Sequence, residues 1–150
     1  MYRGVLLLAL SLLSAQGGLS ELEAISMIES GNNDRAIGGA GEISRFQIMP
    51  RVWKTYTASR AYQNIEVSRR IARKHLTYLE TMFQSQTGRP PTDFDRYVLW
   101  NAGPTYYARV GFVPGRVHRI IRERANRYVN LRQMPTDQTS QGILALGVLR

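Results

Sequence analysis

The sequence predicts an all-α, mainly helical fold in a single domain, on three observations. Apolar residues recur at helical spacing over several segments, strand-like alternation is scarce, and the periodic segments are bracketed by capping and stop residues. At 150 residues the chain can bury one real core, and a second domain is not expected. Its formal charge of +9 comes almost wholly from arginine, Lys54 and Lys74 being the sole lysines. An anionic polymer or surface is therefore an expected partner, whether nucleic acid, anionic lipid or a cell-wall polyanion. The absence of cysteine excludes disulfides, thiolate metal sites and thiol catalysis. His75 and His118 lack the paired spacing of a helix-borne zinc site, so no metal and no cofactor is expected.

Residues 1–17 read as an export signal. Met1-Tyr2-Arg3 is a short positive start, Val5 to Leu13 an apolar run, and Ala15-Gln16-Gly17 a small-x-small cleavage pattern, so the mature chain is expected to begin near Gly18. The run is too short to span a bilayer. Export without cysteine points to a bacterial periplasmic or secreted protein.

Residues 18–134 carry the folded domain. Ser20-Glu21-Leu22-Glu23 matches a capping box and opens a helix from about Glu21 to Ser30. Asn32 to Ser44, centred on Gly38-Gly39-Ala40-Gly41, is expected to be a loop whose backbone comes close to something. Pro50 suits the first turn of a short helix packed through Val52, Trp53 and Tyr56. The longest helix is expected from Asn64 to about Gln86. Ile65, Ala72, Leu76, Leu79 and Phe83 form its apolar side, Arg69, Arg70 and Arg73 its solvated face, and His75 a surface or packing position. Gly88 and Pro90-Pro91 stop it. Thr92 or Asp93 opens a helix that ends at Gly103-Pro104, a short segment surrounds Tyr107, and Pro114-Gly115 marks a turn. A last helix is expected from about Val117 to Leu131. Residues 135–150 read as a polar linker and a short apolar tail.

The chemistry is expected at Glu29. It follows Leu22 and Ile25 at i+7 and i+4, so it continues an apolar stripe, and Gly31-Asn32-Asn33 places it in the last turn of its helix. Burial and the negative end of the helix dipole both favour the protonated acid, which a general acid needs in order to protonate a glycosidic oxygen. A structural glutamate neutralised by an arginine is the competing reading.

Four stretches then carry a resemblance. They are Glu29-Ser30, the run Gly41 to Pro50 (GEISRFQIMP), the run Leu99 to Pro104 (LWNAGP), and Glu123-Arg124-Ala125-Asn126-Arg127-Tyr128-Val129. In this order they resemble the successive signatures of the soluble lytic transglycosylase catalytic domain: Glu-Ser, Gly-x-x-Gly-Leu-Met-Gln, Ala-Tyr-Asn-x-Gly and Glu-Thr-x-x-Tyr-Val. The resemblance implies a lysozyme-like fold with a glycine-rich loop flanking the cleft. It implies cleavage of the bond between N-acetylmuramic acid and N-acetylglucosamine in peptidoglycan, leaving 1,6-anhydro ends, with Glu29 as acid and then base. It further implies substrate-side roles for Ser30, Gln47, Trp100, Asn101, Gly103 and Tyr128, with Tyr128 near Glu29. Glycan strands are the implied partner, without nucleic acid or a membrane span, and a monomer is expected.

The departures sharpen these expectations. Ser44-Arg45-Phe46 stands for Gly-Leu-Met, which predicts a bulkier and more polar cleft floor, with Arg45 free to meet a substrate carboxylate or to neutralise Glu42. Trp100 stands for tyrosine and offers a stacking face in exchange for a hydroxyl. Glu42 is the candidate second carboxylate, with Asp34 a distant second, should the enzyme be a hydrolytic muramidase. A third possibility, from another class, is a basic helical protein that binds an anionic polymer through Arg116, Arg119, Arg122, Arg124 and Arg127.

Overall fold

The computed structural model describes residues 17–135. The expected signal segment (save Gly17) and the apolar tail lie outside the described residues. The described residues are mainly helical, and their only extended pairings are isolated bridges from Ile43 to Ile37 and Ile48. Six α-helices follow in order: α1 (Glu21–Ser30), α2 (Pro50–Tyr56), α3 (Ile65–Thr87), α4 (Asp93–Ala102), α5 (Pro104–Arg109) and α6 (Arg119–Gln133). A single 3-10 turn, Pro114–Arg116, precedes α6.

Caps set the boundaries. Ser20 and Glu23 form the capping box of α1, and Gly31 ends that helix in the left-handed conformation at φ 62°. Asn64 caps α3 through the Val67 amide, Gly88 closes it, and Thr92 forms a second capping box with Asp95 at α4. Gly103, at φ 80° and ψ 162°, occupies a backbone region nearly restricted to glycine, so the chain can leave α4 and enter α5 without a gap. The last helix starts two residues later than expected because Val117 is a buried anchor ahead of it and His118 takes the N-cap position.

One core joins all the helices. Ile25 of α1, Trp53 of α2, Leu76 and Phe83 of α3, Tyr97 and Leu99 of α4, Tyr107 of α5 and Tyr128 of α6 are all buried in it. α4 runs through the middle: it packs on α3, α5 and α6, and α6 packs in turn on α1. Arg96 of α4 ties the bundle at its surface, with Glu80 at 2.5 Å, Asp93 at 2.9 Å and Glu21 at 3.3 Å. No helix among the described residues is long and apolar enough to cross a membrane.

Candidate active site

Glu29 ends the buried stripe of α1: Leu22 and Ile25 are in the core, and the Glu29 side chain is only 8% exposed. Its Oε1 accepts a hydrogen bond from the Tyr97 hydroxyl at 2.7 Å. Arg124 Nη2 stands 3.8 Å from Oε2, too far for a hydrogen bond. Burial first, and then the charge of Glu29 and the hydrogen bond to it, push the Tyr97 phenol well above its usual range, so Tyr97 acts as a fixed neutral donor.

Glu29 opens onto a polar cavity of about 240 Å3, which it lines with Gly38, Glu42, Gln47, Trp100, Asn101 and Arg124. Glu42, Gln47, Trp100 and Asn101 also line a larger cavity of about 430 Å3, which continues past His75, Tyr78 and Gly103. The two form one groove, with the α4 end on one wall and the loop between α1 and α2 on another. Among the described residues no group of acidic or histidine side chains is arranged to hold a metal ion.

The loop is shaped by local backbone geometry. Ser44 and Gln47 both have positive φ, at 66° and 50°, and the Ile43 and Ile48 amides and carbonyls pair across the turn between them. Left-handed Ser44 adopts a conformation that glycine takes freely, at a cost of about 1 kcal/mol for a residue with a Cβ. Gln47 Nε2 donates to the Ser44 carbonyl at 2.9 Å, fixing the side chain that lines both cavities. Glu42 Oε2 accepts from the Ala40 amide at 3.0 Å. A Cβ on Gly38 would overlap Glu42 Oε2 and Gln47 Oε1, which is the close approach expected of this glycine run.

Of the predicted residues, Glu29, Glu42, Gln47, Trp100 and Asn101 come together in the smaller cavity, and Gly103 reaches the larger one. Trp100 donates its indole N–H to the Phe46 carbonyl at 3.3 Å and meets His75 edge-on at 5.4 Å between ring centres. His75 takes a packing position against Tyr56, whose hydroxyl lies 3.1 Å from its Nδ1, and burial holds its pKa below the ordinary value.

Three of the expected groups lie outside the groove. Ser30 does not line the groove: its hydroxyl donates to the Arg45 carbonyl at 2.8 Å, so it fastens the end of α1 to the loop. Tyr128 is wholly buried, one layer behind Tyr97, with ring centres 5.5 Å apart; Tyr97 intercepts Glu29 in its place. Ser44, Arg45 and Phe46 do not form a cleft floor. Ser44 and Phe46 are buried, and Arg45 forms a two-pronged pair with Asp34 at 2.6 and 2.9 Å, away from both Glu42 and the cavities. That pairing also holds the Asp34 carboxyl below its usual range and leaves it outside the groove lining.

No protein-family model, curated protein or solved structure matches the chain. The site therefore stands on its own geometry. Tyr97 and Arg124 are the two residues there to which sequence reasoning gave no role of this kind. Helical spacing held a signal for Arg124, which lies one turn before the buried Tyr128 and beside the buried Ala125, and so on the inner side of α6.

Proposed function

We propose that the protein is a lytic transglycosylase with a lysozyme-like fold, exported to act on peptidoglycan. The observation that carries the reading is Glu29: a nearly buried carboxyl with one oxygen fixed by Tyr97 and the other facing a polar groove. Such a carboxyl is placed to serve a bound glycan, and Trp100 with Asn101 offers the stacking face and amide that sugars are held by. The Asn101 side chain makes no hydrogen bond to the protein among the described residues, which leaves it available to a ligand.

In the reaction, Glu29 gives its proton to the oxygen that links C1 of N-acetylmuramic acid to the next sugar, and the C1–O bond breaks. The carboxylate then takes the proton of the same muramic acid's C6 hydroxyl, whose oxygen bonds to C1. The product is a 1,6-anhydro ring, water is not consumed, and Glu29 regains its proton. Tyr97 keeps the carboxyl in one orientation through both transfers.

Glu42 in the same cavity favours a second reading, hydrolysis by a muramidase in which it activates water or attacks C1. Mass spectrometry of the released fragments separates them: anhydro ends are expected, and reducing ends would establish hydrolysis. Glu29→Gln is expected to lower the rate at least about a thousandfold with the fold intact. Cleavage at wild-type rate by that variant would overturn both readings.

A further inference from the structure

The cavity beside Glu29 holds a cation, Arg124, that the proposed reaction leaves without a task. We propose that Arg124 is a carboxylate receptor, which binds an acidic substituent of the sugar beside the scissile bond and makes the groove prefer acidic over neutral N-acetylated glycans. The inference rests on the glycan-cleaving reading of the site.

Three observations carry it. First, the Arg124 guanidinium is not closed onto a partner carboxylate. Arg45 is closed onto Asp34, Arg89 onto Asp95, and Arg96 reaches three carboxylates, whereas Arg124 makes no hydrogen bond among the described residues and only the 3.8 Å approach to Glu29. Its side chain is 36% exposed, so the guanidinium can still meet a solute. Second, among the described residues the smaller cavity is lined by the Glu42 carboxylate, by Glu29, which the proposed reaction uses as the protonated acid, and by one basic residue, Arg124. An acidic sugar entering there would meet repulsion unless this guanidinium offset it, and a planar guanidinium can take a carboxylate through two parallel hydrogen bonds. Third, Arg124 borders the cavity that contains Glu29 and does not border the larger one. A carboxylate held there belongs to a sugar at the reacting bond, not to one farther along the strand.

The carboxylate has two possible sources on a muramyl glycan: the lactyl ether itself or the stem peptide attached to it. Binding is measured by calorimetry in the non-cleaving Glu29→Gln protein. The probes are chitotetraose, a peptide-free muramyl tetrasaccharide, and the same tetrasaccharide carrying its peptides. We expect the better of the two acidic probes to bind about tenfold or more tighter than chitotetraose, as one charge-assisted pair provides. Tighter binding of the peptide-free probe identifies the lactyl group, and tighter binding of the peptide-bearing probe identifies the peptide. Adding Arg124→Gln is expected to bring all three within about threefold of one another, while Arg124→Lys, with the charge but not the fork, keeps an intermediate preference. Equal binding of the three probes before Arg124 is changed, or a preference that survives Arg124→Gln, would overturn the assignment. Cleavage by the wild-type protein is read separately. Cleavage with no binding preference removes the role of Arg124 alone, and preference without cleavage removes the enzymatic reading together with the placement beside a scissile bond, leaving Arg124 as a receptor for acidic glycans only.

Discussion

Asp95 and Glu29 are two carboxylates with little of the side chain exposed, and they are treated in opposite ways. Asp95 sits in the first turn of α4, 1% exposed, and accepts from Arg89 at 2.7 and 3.3 Å, from the Tyr107 hydroxyl at 2.6 Å, and from the Thr92 amide and hydroxyl at 2.8 Å. Glu29 sits in the last turn of α1 with a single hydrogen bond, from Tyr97. Each has a buried tyrosine on one oxygen, so the tyrosine is not what separates them. The difference lies in the other oxygen, which in Asp95 is saturated by a cap and a guanidinium and in Glu29 faces a groove. A saturated carboxylate fixes structure, and an unsaturated one beside a groove is left free to meet a ligand.

The sharpest way to break this contrast is to remove the charge from Asp95. Asp95→Asn keeps the shape but puts an amide N–H2 among donors that already point inward. We expect unfolding in urea to report a loss of about 3 kcal/mol. The acid limb gives a second readout. Burial alone would raise the Asp95 carboxyl, but Arg89, Tyr107 and Thr92 together hold it below its ordinary value. The folded state thus binds this proton less readily than the unfolded chain. The resulting stability is complete above the unfolded value, about 3.9, and drains away as the pH falls through the lowered folded one. In Asp95→Asn the slope of stability against pH should flatten below about pH 4. An unchanged slope would mean that Asp95 is not the acid-sensitive group.

Tyr97→Phe probes the other side at a smaller scale. It deletes the one hydrogen bond to Glu29 among the described residues and leaves the ring packed against Tyr128. We expect kcat for glycan cleavage to fall about tenfold with KM nearly unchanged, and stability to change by about 1 kcal/mol or less. A rise in KM without loss of kcat would assign Tyr97 to substrate binding instead of to the carboxyl.

These side chains also show where sequence reasoning stops. Five of the six helices were readable from local signals, because a capping box at Ser20, an Asn64 cap and glycines at 31, 88 and 103 act within a few residues of themselves, whereas α5 was expected only as a short segment around Tyr107. Glu29 was readable for the same reason: a charged residue on an apolar stripe is a local anomaly. What it touches was not readable. Tyr97 is 68 residues away and carries no local signal, while Tyr128, the tyrosine the resemblance put near Glu29, stops one ring short. Arg45 and Arg124 exchange roles for a similar reason. Ser44 turns left-handed and Asp34 lies within reach of Arg45, so that arginine is captured, and the cavity beside Glu29 receives its cation from a helix at the other end of the chain. Tertiary pairing decides such matters, and pairing is not a property of spacing.

The smallest expected effect asks whether Glu42 shares the chemistry with Glu29. Gly38 does not need a left-handed backbone, so alanine fits its conformation, but the new Cβ overlaps the ends of Glu42 and Gln47 and must displace them. Gly39 is the internal control: it also borders the smaller cavity, and a Cβ there meets nothing. For Gly38→Ala we expect KM to rise about threefold as the two side chains leave their positions, with kcat held within about twofold and stability within about 1 kcal/mol. Gly39→Ala should change neither constant. Because only the tips of Glu42 and Gln47 are disturbed, a reaction that runs on Glu29 alone tolerates the change. A reaction that needs a second carboxylate across the scissile bond does not, since a misplaced base or nucleophile is felt in kcat. A fall in kcat approaching that of Glu29→Gln, matched by Glu42→Gln, would therefore move Glu42 from the wall of the groove into the reaction and replace the anhydro-forming mechanism with hydrolysis.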